Sequence, residues 1–182
     1  MHTKIKTLEF LDLCSPAVRA IYDYWSGRRG ERLMPRRADI DPADIVPYLP
    51  GIQLIDVRRD PLDFVYRLVG TREVAARGYD PTGKRVVEHA FGGNPHEVVE
   101  NYRYVVTQRG VLYDRERFTS RDGRFVQDES LFMPLSADGE TVNIVLVYTH
   151  YEDMWRSAAE RMWDMKAAAP HRGGRRGHRI LT

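Results

Sequence analysis

Two Asp-Gly pairs, Asp122-Gly123 and Asp138-Gly139, separate three strand-like runs at 111–118, 125–135 and 142–150. An Asp-Gly pair readily adopts the positive φ values of a tight hairpin turn. Flanked by alternating aromatic and β-branched residues, the two pairs commit this stretch to an antiparallel meander. Such a sheet needs a cover on at least one face.

The residues before the meander supply it. Residues 52–57 read as a strand, 58–63 as turn chemistry and 64–69 as the second strand of a hairpin. Residues 70–76 then read as a helix closed by Gly78, and 79–93 as turns and short helical pieces. Asn94-Pro95 opens a longer helix whose apolar face carries Val98, Tyr102, Val105 and Val106, with its exit at Arg109-Gly110. Nearer the N-terminus, Ser15-Pro16 starts a helix with Ala17, Ile21, Tyr24 and Trp25 at helical spacing. Asp41-Pro42 starts a shorter one, stopped by Pro47 and Pro50. Beyond the meander, Met154, Trp155, Met162 and Trp163 form an apolar stripe on a helix over 152–168.

This order predicts an α+β chain: one antiparallel sheet with helices on one face, plus N- and C-terminal flanking helices. The expected divisions are a helical extension over 1–50, a sheet domain over 51–150, a C-terminal helix over 151–169 and a basic flexible tail over 170–182.

Charge and composition narrow the function classes. The net charge is +2, but residues 171–182 hold Arg172, Arg175, Arg176 and Arg179 and no acid. The remainder carries 24 basic and 26 acidic residues, so basicity is confined to the tail. Four arginines without interleaved aromatics supply only salt-sensitive, non-specific attraction. A nucleic-acid-associated regulator using that tail is therefore the alternative reading rather than the first. No apolar run approaches the ~20 residues of a membrane helix. Residues 1–10 lack the apolar centre of a secretory signal. With Cys14 alone, no intramolecular disulfide or multi-cysteine metal site can form, and a reducing cytoplasm is the expected location.

Further residues carry a resemblance. Tyr66-Arg67-Leu68-Val69-Gly70-Thr71, followed by Gly78-Tyr79-Asp80-Pro81-Thr82-Gly83-Lys84, resembles the PAS domain from its second strand through a helix to a Gly-Tyr…Gly-Lys segment. Tyr24-Trp25, the run from Leu33 to Pro42, and Tyr48-Leu49-Pro50 are similar to a bacterial, alphaproteobacterial-type family of stand-alone single-PAS proteins. That resemblance implies a five-stranded antiparallel sheet, a pocket between sheet and central helices, and dimerisation through flanking helices. It also implies a sensory or regulatory module, acting through protein contacts and gated by a small molecule, with an unknown regulatory protein as partner.

Cofactor chemistry is sparse. PAS domains that bind flavin covalently use a cysteine in the central helical region, and Cys14 precedes the first helix. Haem-binding PAS domains use a central histidine. His89 and His96 lie in that region, but surface histidines are the expectation, and no cofactor is predicted. The six histidines show no metal-ligand spacing, and no nucleophile motif is present. An enzyme of unknown reaction is thus the weakest reading, and no catalytic residue is assigned. Asp128 and Glu129 alternate along a strand and face opposite ways. Candidate pocket residues are Arg67, as an anchor for an acidic group, with Tyr102 and Tyr113 as lining. Ile21, Tyr24, Trp25, Met154, Trp155, Met162 and Trp163 are candidate interface residues, with packing on their own domain left open beside it.

Overall fold

A computed structural model describes residues 2–92, 94–119 and 125–151. The expected C-terminal helix with Met154, Trp155, Met162 and Trp163, the basic tail and the Asp122-Gly123 turn lie outside the described residues.

The sheet is antiparallel and has six strands rather than five. Strand β1 is Thr3–Ile5, β2 Ile52–Arg58, β3 Asp63–Val69, β4 Leu112–Thr119, β5 Phe125–Ser136 and β6 Val142–Tyr151. Their spatial order is β1-β4-β5-β6-β2-β3. The meander forms, with Tyr113 opposite Leu131 and Phe132 opposite Val147. The added strand β1 pairs Thr3, Lys4 and Ile5 with Arg115, Asp114 and Tyr113.

Pro134 sits inside β5 without breaking it. β4 begins opposite Phe132, so the last residues of β5 pair only with β6. On the open side the Pro134 carbonyl accepts from Trp25 Nε1 at 3.0 Å, and the Ser136 N–H donates to the Pro35 carbonyl at 3.0 Å. The missing proline N–H therefore costs no ladder bond.

Helices cover both faces. Helix α1, Pro16–Arg29, starts at Ser15, whose Oγ accepts from the Val18 N–H. It packs on β5 and β6 together with the 3₁₀ segment Pro42–Gly51. Val18, Ile21, Trp25 and Phe10 are buried there against Leu131, Met133 and Leu146. Side chains of this size contribute about 2 kcal/mol each when fully buried. Helices α2, Thr71–Arg77, α3, Val86–His89, and α4, Pro95–Gln108, lie over the other face. The N-terminal segment is therefore part of the fold: it contributes a strand and covers one face of the sheet at β5 and β6.

Gly70 joins β3 to α2 where the 3₁₀ segment crosses. A Cβ there would lie 2.5 Å from the carbonyl oxygens of Leu49 and Pro50. Gly78 ends α2 with φ +79°, a conformation glycine adopts without strain.

Candidate functional site

The α2/α4 side of the sheet encloses a cavity of about 50 Å³. Alternation along the strands aims Asp114 and Glu116 of β4, Asp128 and Ser130 of β5, Thr149 of β6 and Gln53 of β2 toward it. From above, α2 lowers Glu73 and Arg77, and α4 lowers Asn101 and Tyr102. The space holds a few waters or a group of a few non-hydrogen atoms. A ligand pocket of several hundred Å³ is the usual size for larger molecules.

Arg77 organises this layer. Nη1 donates to the His89 carbonyl at 2.9 Å and Nη2 to Gln53 Oε1 at 3.2 Å. Gln53 Nε2 in turn donates to Glu73 Oε2 at 3.0 Å. The guanidinium lies 4.9 Å from the Tyr66 ring centroid and 5.2 Å from that of Phe91. The Tyr66 hydroxyl donates to the same His89 carbonyl at 3.3 Å. Two buried atoms, Glu73 Oε1 and Arg77 Nε, make no close hydrogen bond of their own, while Tyr151 interacts with the Glu73 carboxylate and Tyr66 with the Arg77 guanidinium. Native interiors leave few such groups.

A second polar cluster joins the cavity residues Asn101 and Asp114 to β1 and its flank. Asn101 Nδ2 donates to Asp114 Oδ2 at 2.6 Å, and His2 Nε2 lies 2.7 Å from Asp114 Oδ1. Lys4 Nζ stands 3.8 Å from the same carboxylate.

Burial sets the protonation tendencies. Desolvation raises the Glu73 carboxyl, against the opposing pull of Arg77. Asp128 is pushed well above the ordinary carboxylate range, first by burial and then by Glu73, Asp114 and Glu116. Burial likewise raises the Tyr66, Tyr102 and Tyr151 phenols. For Arg77 burial acts downward, but Tyr66 and Glu73 outweigh it and hold the guanidinium charged.

Of the three pocket residues expected from sequence, only Tyr102 lines this cavity. Its ring meets Phe132 edge-on at 5.2 Å and Phe64 at 5.3 Å. Arg67 is a correction: it points to the opposite face of β3, is half exposed, and pairs with Asp56 at 3.1 Å. Tyr66 is buried toward the cavity, so strand alternation sends its neighbour outward. Tyr113 also belongs to the opposite face, stacked on Phe10 at 5.5 Å. Burial and then Glu129 raise its phenol. The arginine that serves the cavity is Arg77, signalled in sequence only by Glu73 four residues before it on a short helix.

Other candidates fall elsewhere. Ile21 and Trp25 are buried in the core under α1 rather than presented as a free surface, and the Tyr24 hydroxyl accepts from the Asp41 N–H at 2.8 Å and shares its proton between the Asp41 carbonyl and Asp44. Asp128 and Glu129 do face opposite ways: Glu129 accepts the Ser15 N–H at 3.0 Å on the α1 side. The His89 ring meets the Tyr79 hydroxyl at 3.1 Å, and His96 is exposed in the first turn of α4; neither ring lines the cavity. Cys14 lies on the α1 side, and burial raises its thiol. Among the described residues no group of side chains could hold a metal ion, and no helix is long and apolar enough to cross a membrane.

An antiparallel sheet roofed by short helices over a small polar cavity is a PAS-type fold. The chain belongs to the PAS domain family, whose profile matches residues 13–148. Among solved structures it is similar to VqmA of Vibrio cholera in a complex with ligand and DNA, at 12% identity and TM-score 0.50, over 78% of this chain and 64% of that one. An RNA-binding light-oxygen-voltage receptor matches at 17% identity and TM-score 0.43, over 73% of this chain and 40% of that one. A light-oxygen-voltage domain studied with a flavin analogue matches at 11% identity and TM-score 0.46, over 69% and 91%. The chain thus spans less than two thirds of the first two, and the likeness is one of fold. No curated protein matches it in sequence.

Proposed function

We propose that this chain is a cytoplasmic sensory or regulatory PAS module, not an enzyme, gated by a small polar molecule and acting through protein contacts. The observation that carries the reading is the pair of buried atoms without a close hydrogen bond at the cavity wall, Glu73 Oε1 and Arg77 Nε. Each such group costs about 1–3 kcal/mol while unsatisfied. A bound molecule offering both a donor and an acceptor removes that cost, and it biases a switch to the extent that only one of its two states presents both groups. A space of about 50 Å³ suits neither flavin nor haem. Cys14 and the His89 and His96 rings also stand away from it, so neither group is proposed as a cofactor.

The signal leaves through the surface, to a second copy or a partner protein. Of the exposed large apolar side chains, Leu8, Leu13, Leu33 and Val46 lie on the N-terminal segment and Leu68 on β3, which supports that segment as the contact.

Amide hydrogen exchange with and without the low-molecular-mass fraction of a cell extract tests the reading. Slower exchange in α2 and α4 with the extract fraction is the expected result. Identical exchange at every concentration contradicts ligand gating.

A further inference from the structure

We propose that the cavity takes a small organic ammonium ion that also bears a hydrogen-bond acceptor, its cationic end held by Asp128 and Glu73 and its acceptor by Arg77 Nε. This rests on the ligand-gated reading above and names the chemistry of the ligand.

Four carboxylates from three elements line the space: Glu73, Asp114, Glu116 and Asp128, against the single guanidinium of Arg77. Asp114 is already committed to Asn101, His2 and Lys4. Glu116 and Asp128 are direct cross-strand partners, an unfavourable placement for two like charges. The acidic groups of the cavity are therefore concentrated on the β4/β5 side, where Asp128 holds its proton until a cation displaces it.

Two observations independent of the carboxylate count point to an occupant. Glu73 is 1% exposed and presents Oε1 without a close hydrogen bond. Arg77 has both terminal nitrogens engaged, by His89 and Gln53, and retains Nε for an acceptor. A donor-rich cation with one acceptor matches both, and the cavity volume limits it to a few non-hydrogen atoms.

Ethanolamine, ethylene glycol and glycolate share a hydroxymethyl group and differ in charge. Each is titrated into the ¹⁵N-labelled full chain near neutral pH, with sodium chloride keeping ionic strength constant. Saturable shifts of the Asn101, Asp128, Ser130 and Thr149 amides are expected for ethanolamine, with Kd on the order of a millimolar for so small a ligand. The other two should bind at least about tenfold more weakly, and Asp128→Asn should weaken ethanolamine about tenfold while preserving the spectrum. If D128N fails to fold, E73Q replaces it with the same expectation. Equal or tighter saturation by glycolate or ethylene glycol overturns the cationic class while leaving ligand gating intact. Silence from all three also overturns the class. The extract experiment above decides ligand gating separately.

Discussion

Glu73 and Arg77 stand one turn apart on α2 and are both withdrawn from water, their side chains 2% and 4% exposed, with Nη2 3.7 Å from Oε2. A pair in this position gains little over an apolar replacement, because desolvation opposes the attraction. Breaking it is another matter, since one charge is left buried alone.

Arg77→Met should therefore destabilise the fold by about 3–5 kcal/mol, and the double variant R77M/E73Q should recover part of that loss. Urea denaturation of the two single variants and the double variant measures the coupling. Strictly additive losses would mean that the pair is not a unit.

Much of the scaffold was legible because its signals are local. Ser15, Asp41 and Asn94 each accept a backbone N–H at a helix start, as a capping residue before proline implies. The meander follows from turn residues and alternation. Strand β1 was missed because three residues carry no usable period and their partners lie some 110 positions away. Arg67 was misplaced although alternation already held the answer: with Tyr66 inward, Arg67 must face out. Arg77 was missed because its role rests on Gln53 from β2 and the His89 carbonyl, contacts that only tertiary structure creates.

Two aspartates should respond to pH with opposite signs. Asp128 has a folded pKa raised by burial and by Glu73, Asp114 and Glu116; Arg77, Tyr66, Tyr102 and Tyr151 are the other titratable groups lining the cavity. Its folded state holds the proton more tightly than the unfolded chain. Its contribution is therefore full below the unfolded value of about 3.9 and is lost as pH rises through the folded value. Asp128→Asn should then gain stability relative to the parent as pH is raised from about 4 to 8. Equal pH dependence of both proteins in chemical denaturation would contradict this.

Asp138 is the converse case. It accepts from the Thr141 and Glu140 N–H groups and the Ser136 hydroxyl, contacts that hold its carboxyl well below the usual range. Its contribution is present above the unfolded value of about 3.9 and is lost as pH falls through the folded value. Asp138→Ala should be less stable than the parent near pH 7, and the difference should shrink in acid. A difference independent of pH would assign the effect to turn geometry alone.

Gly70→Ala places a methyl group 2.5 Å from the Leu49 and Pro50 carbonyl oxygens. A loss of about 1–3 kcal/mol is expected, as for overpacked sites. Gly110→Ala, whose nearest non-adjacent atom would be 3.8 Å away, is the control and should change stability by no more than about 0.5 kcal/mol. Equal effects in thermal denaturation would place the constraint elsewhere than in the close approach at Gly70.

Trp25→Phe keeps most of the apolar surface under α1 but leaves the Pro134 carbonyl without its 3.0 Å donor. The cost should be about 1 kcal/mol or more, the range for a buried hydrogen bond and its unsatisfied partner. A neutral outcome in urea denaturation would mean that water replaces the indole.

Native mass spectrometry of the gently purified chain, incubated with the small-molecule fraction of a cell extract and compared with the same sample denatured, tests ligand gating most directly. A defined extra mass of a few non-hydrogen atoms is predicted in the native spectrum, lost on denaturation and diminished in D128N. A bare polypeptide mass under every native condition would contradict a ligand-gated cavity.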